Sequence, residues 1–201
     1  MQKKSHRNFV VFTSLIGTLT LTSALLLALA PAPLTPDASG TLLAVESAGA
    51  MEAIFHTRTP VNPSAWKYIY IHHSRSPRGN AQMLGQEANG GLGDHFVIGN
   101  GQGALDGEIQ IGYRWDNQTS PAAPAGAASI DPACISICLS GDFDSTVPTP
   151  TQLRSLTQLV STLQSRLRVG GERVLLVNQI GATAGIGRYF PTTAFREQLL
   201  P

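Results

Sequence analysis

YIYIHHS, residues 68–74, sets aromatic and β-branched residues directly before two histidines and a hydroxyl. The composition of Tyr68 to Ile71 is that of a strand. Neighbouring strand side chains point to opposite faces, so His72 and His73 cannot share one site. If His72 faces a groove, His73 faces the core or the opposite layer.

Working outward, the strand ends at the turn formers SRSPRGN, and residues 80–89 read as a short helix. HFVIGNGQG, residues 95–103, is a strand closing in a glycine turn, and GEIQIGYRW, residues 107–115, reads as its hairpin partner. The poorly patterned loop 116–132 leads to CISICLSGDF, a continuously apolar run expected at the middle of a sheet. The clearest helix follows. Thr149 caps it, Pro150 suits its first turn, Gln152 completes a capping box, Leu153, Leu156, Leu159, Val160, Leu163 and Leu167 form one stripe, and Gly170 stops it. ERVLLVNQ is a further buried strand, and residues 193–200 a closing helix. Strands and helices mix without regular alternation, so the expected class is α/β: a single domain with a central mixed sheet flanked by helices.

Of the 201 residues, 42% are hydrophobic and 13% charged, which suits one packed core and excludes a disordered or coiled-coil chain. The formal net charge of +1 leaves no electrostatic footprint for nucleic acid. Lys3, Lys4 and Arg7 precede an uncharged run over residues 9–30, as a helix about 33 Å long at roughly 1.5 Å per residue, enough to cross a bilayer. Residues 1–30 are therefore expected to be an export signal with the remainder across the membrane. The prolines Pro31 and Pro33 crowd a cleavage site and favour a retained anchor, with a cleaved signal peptide as the alternative. Residues 31–65 read as a linker carrying a weak helix at 41–55 that lies against the domain, and the folded domain as residues 66–201.

Cys134 and Cys138 lie four apart on one expected strand, about 13 Å from each other at roughly 3.3 Å per residue. That is beyond disulfide reach, and both read as small buried hydrophobes. Asp142 and Asp144 in SGDFDS read as turn residues rather than a carboxylate pair.

The order IHHS, GLGDHFVIGNG, DGEIQIG, ISICLSGDF, PTPTQLRSL and GRYFP over residues 66–191 resembles the zinc-dependent N-acetylmuramoyl-L-alanine amidases, a group that includes the peptidoglycan recognition proteins and phage lysozyme-type amidases. The resemblance implies a mixed sheet with a groove for the peptide stem of peptidoglycan. It also implies, in enzymes of the family, hydrolysis of the amide joining the lactyl group of muramic acid to L-alanine. An amide resists neutral water, so such enzymes use a zinc held by three protein ligands with an open position for water. The resemblance places the first ligand at His72.

At the other positions this sequence departs from the pattern. The second histidine falls at Val177, beside Asn178 and Gln179; the cysteine of a TxCPG-like motif falls at Gly185, in TAGIG close to Thr183; and the orienting tyrosine becomes Asp94. One imidazole does not make a zinc site, so the implied reading is a domain with a degenerate zinc site that binds peptidoglycan or muropeptide without cutting it and carries no cofactor. His72, Asp94, Arg75, Arg114 and Trp115 are its candidate ligand-binding residues, with Arg114 and Trp115 on the groove wall. The competing reading is an active amidase on a substitute metal site, with His73 or Asp142 as a further donor beside His72 and Asp94. Asp94 hydrogen-bonding His72 in a metal-free pocket is the plainer expectation. His95, beside Phe96, reads as a buried structural histidine. The expected location is outside the cytoplasm, anchored facing the periplasm or exterior, or secreted if the signal is removed.

Overall fold

A computed structural model describes residues 49, 51–88, 91–122, 131–177 and 186–201. The chain divides after Glu46, and every described residue belongs to the second unit, Ser47–Pro201. The expected membrane-crossing segment lies outside the described residues, among which no helix is long and apolar enough to cross a membrane.

Five strands form one sheet: β1 (Tyr68–His73), β2 (Phe96–Ile98), β3 (Ile109–Ile111), β4 (Cys134–Leu139) and β5 (Val174–Leu176), in the order β3-β2-β4-β1-β5. β4 runs parallel to β1 and β2, β5 runs parallel to β1, and β3 is antiparallel to β2. The mixed α/β sheet expected from the sequence is therefore present, with CISICL at its centre. All six of its residues are buried, as a strand covered on both faces requires.

The two faces differ in chemistry. Ile69, Ile71, Phe96, Ile98, Ile135, Ile137 and Leu139 are fully buried in the main core, together with the leucine stripe of the long helix α3 (Pro150–Leu167). The other face carries Tyr68, Tyr70 and His72 from β1 and Cys134, Ser136 and Cys138 from β4. There Cys138 packs with Leu92 and Val97 and with Ala81 and Leu84 of the short helix α1 (Ala81–Glu87), which Asn80 caps through the Met83 amide.

Thr149 caps α3 by accepting from the Gln152 amide at 3.0 Å, as expected. The capping box does not close. Gln152 is fully buried, and its Nε2 donates to the carbonyls of Ile98 at 3.0 Å and Ser140 at 2.9 Å. It therefore ties the helix to the ends of β2 and β4. Arg168, in the left-handed region with φ 58°, terminates α3 ahead of Gly170.

Two further segments differ from their sequence reading. GYRW does not extend β3: Tyr113–Asp116 is the short helix α2, which turns Trp115 into the core. The chain before Trp66 also packs: Ile54 is buried, Phe55 meets Trp115 edge-on at 6.0 Å, and Trp115 Nε1 donates to the Ile54 carbonyl at 2.6 Å. The end of the segment read as a weak helix against the domain thus contributes Ile54 and Phe55 to the core. A last helix, α4 (Thr192–Arg196), buries Phe195.

Candidate functional site

His72 is the penultimate residue of β1, paired in register with Cys138 of β4, and its side chain lies on the polar face. Asp94 precedes β2, so strand alternation does not set its direction. The backbone there is held by the Gly112 amide, which donates to the His95 carbonyl at 2.7 Å. A side chain at Gly112 would begin 2.4 Å from the Asp94 carbonyl oxygen, so this close approach requires glycine.

The charge pairing of His72 with Asp94 is met, but not between neighbouring strands. β4 instead lies between their strands, and Asp94 reaches across it. Its Oδ1 accepts from His72 Nε2 at 2.7 Å and also from the Ser136 hydroxyl. The third residue of the cluster is Cys138: one ligand atom each from His72, Asp94 and Cys138 lie within 4.8 Å of one another. Ser136 and Cys138 share a face because they are two apart on one strand, and their spacing in CISICL was the available signal. Reading both cysteines as inert fillers missed it. For Cys134 that reading stands, since the thiol is free and burial pushes it up to about 12.

Electrostatics define the resting state of the cluster. Burial alone would lower the pKa of His72, but the charge and hydrogen bond of Asp94 outweigh it and hold the imidazole well above its ordinary value. Burial opposes ionisation of Asp94 too, yet His72 and the Ser136 hydrogen bond keep its carboxyl below its ordinary value. Burial raises the Cys138 thiol, against a smaller opposing pull from His72. The pair is thus an imidazolium and a carboxylate beside a protonated thiol.

The proposed additional donors do not join this cluster. His73 faces the opposite layer, as alternation requires, stacked on Phe143 with centroids 5.4 Å apart. Its Nδ1 accepts from the Phe143 amide at 3.0 Å, so the lone pair facing Asp142 is already used. Asp142 accepts from Ser145 Oγ and the Asp144 amide, which is the turn role expected of it.

The remaining candidates are scattered. Trp115, expected on the groove wall, is fully buried and unavailable for stacking on a sugar. Arg114 donates to the carbonyls of Leu92 at 3.1 Å and Ser120 at 2.8 Å, so it clamps loops. Arg75 is exposed at φ 60° in the turn after β1, where its charge acts on His73 and Asp142. His95 is the structural histidine expected. Its Nδ1 accepts from the Ser136 amide at 3.0 Å and its Nε2 donates to the Thr119 carbonyl at 2.9 Å. Burial lowers its pKa to about 4.

The family model described as N-acetylmuramoyl-L-alanine amidase matches residues 62–183, more than half of the chain. The chain belongs to this family. No curated protein matches it in sequence. Among solved structures, the endolysin amidase LysCS from Clostridium intestinale is 22% identical with a TM-score of 0.52, covering 71% of this chain and 89% of its own. LysC from the same organism is 22% identical with a TM-score of 0.53, covering 71% and 91%. Human PGRP-IBETAC, solved in complex with glycosamyl muramyl pentapeptide, is 18% identical with a TM-score of 0.48, covering 69% and 85%. At 22% identity the two clostridial structures speak for the fold alone, which is the amidase fold read from the sequence.

The family's zinc can be tested against the residues present. His72 offers a nitrogen where the first ligand belongs. Val177, at the second position, follows β5 with its amide bonded to the Ile71 carbonyl at 2.9 Å, and its aliphatic side chain offers no donor. Gly185, Thr183, Asn178 and Gln179 lie outside the described residues, but the glycine has no side chain to ligate. Of the positions that the resemblance assigns to the family's donors, His72 carries a ligating side chain and Val177 and Gly185 do not.

Proposed function

We propose that this amidase-family domain binds peptidoglycan fragments in its groove and does not hydrolyse them. One observation carries the reading: where the resemblance places the tyrosine that orients the nucleophile, this chain has Asp94, whose carboxylate is bound to His72 Nε2 at 2.7 Å, so the phenol that would serve the reaction is missing. Val177 adds to it by replacing a donor with an aliphatic group. Recognition of a stem peptide needs the groove, not the metal. The apolar run with its basic flank supports action outside the cytoplasm, with the domain either anchored to the membrane or secreted.

The test is co-sedimentation of the purified full-length chain with insoluble peptidoglycan, with assay of the supernatant for peptides released at the muramic acid to L-alanine bond. Binding without release is expected. Failure to sediment overturns recognition, and release overturns the non-hydrolytic reading in favour of an amidase working through a non-standard metal site. Cell fractionation with protease accessibility tests the location, and a domain shielded in the cytoplasm overturns it.

A further inference from the structure

His72, Asp94 and Cys138 offer one nitrogen, one carboxylate oxygen and one sulfur, converging within 4.8 Å. Around a tetrahedral zinc such atoms stand about 3.5 Å apart, from metal–ligand bonds of roughly 2.0 to 2.3 Å. Side-chain adjustments of about 1 Å would therefore complete the cage. The donor chemistry is selective: hard cations such as magnesium and calcium need several oxygens, and only Asp94 and the neutral Ser136 hydroxyl supply them. Charge balances as well, because neutral imidazole, carboxylate and thiolate together neutralise a divalent ion, which matters for a cation taken out of water. Burial decides the type of site. His72 is 3% exposed and Cys138 2%, under α1, while Asp94 at 17% stands at the mouth. A small ion can enter such a place, but a peptide carbonyl cannot reach the sulfur, which counts against a cysteine nucleophile.

We propose that His72, Asp94 and Cys138 form a closed site for a soft divalent cation of the zinc type, stapling β1, the entry to β2 and β4 together. The donor set differs from the family's in two of three ligands, and its role is structural. The cation displaces the proton shared by His72 and Asp94 and the proton of the thiol, with Ser136 Oγ beside the fourth position. This inference is independent of muropeptide binding.

The experiment is cobalt titration of the chelator-treated full-length chain, read by the thiolate-to-cobalt charge-transfer band, with zinc-dependent thermal melting in parallel. One equivalent should produce the band, and zinc should raise Tm. Cys134→Ser should keep both responses and Cys138→Ser should lose both. Asp94→Asn, which preserves shape, should weaken cobalt binding and serves if Cys138→Ser fails to fold. A wild-type chain with no band or no rise in Tm, or a band that persists in Cys138→Ser, overturns the proposal. Hydrolysis by the zinc-loaded chain that Cys138→Ser abolishes would overturn the structural role together with the non-hydrolytic reading, whereas hydrolysis that survives Cys138→Ser would overturn the non-hydrolytic reading alone.

Discussion

The two faces of the sheet are built from alternate residues of the same strands, yet they follow different rules. Toward α3, β1 and β4 present Ile69, Ile71, Ile135, Ile137 and Leu139, an apolar surface held by burial alone. On the other face the same strands present Tyr70, His72, Ser136 and Cys138, where the buried His72 and Ser136 side chains both bond Asp94. The first face supplies stability and the second supplies chemistry. Only the first tolerates substitution by size and hydrophobicity.

The comparison can be broken most forcefully from the apolar side. Ile137→Ala should destabilise the domain by about 2–5 kcal/mol through the cavity it leaves, read by urea denaturation, with the His72–Asp94 hydrogen bond intact by NMR. Next in size is a pH effect. Unfolded histidine takes its proton near its ordinary 6.5, while native His95 resists until about 4, so the unfolded state binds more protons in that window. Stability should therefore fall as pH drops through it, by about 3 kcal/mol from His95. The lowered pKa of His73 acts in the same direction. Denaturation at several pH values should show the slope, and His95→Gln should flatten it.

The pair on the polar face has the opposite sign. His72 has its pKa raised by Asp94, so its contribution is full below the ordinary histidine value and is lost as pH rises through the native one. Asp94→Asn should cost about 1–3 kcal/mol near neutral pH and move the NMR titration of His72 downward. An unmoved midpoint would mean that Asp94 does not govern it. The smallest effect belongs to the helix end: Thr149→Ala should cost about 1 kcal/mol in thermal melts and leave the polar face unchanged.

Much of the apolar face was legible because burial writes a periodic pattern. The leucine stripe of α3 and the continuous run of CISICL fixed both elements and their places. GYRW was misread because Tyr and Trp suit strands by propensity, while packing of Trp115 against Ile54 and Phe55 overrode it. Ile54 ends the stretch read as a weak helix lying against the domain, but its spacing does not single it out as the residue that enters the core. At the site, His72 was visible from its position at a strand end, and its bond to Asp94 from the charge pairing. Cys138 was not recognised, because its role depends on strand order: only once β4 is known to lie between β1 and β2 does its side chain fall beside both partners.

Gln152 carries a warning for protein engineers. From sequence it invites replacement by glutamate, the usual improvement at the third position of a helix after a threonine cap. Here its amide nitrogen grips the backbone oxygens of Ile98 and Ser140, two acceptors to which a carboxylate could offer no hydrogen. The standard thermostabilising edit would place a negative charge against them at a fully buried position, and would loosen the helix from the ends of β2 and β4.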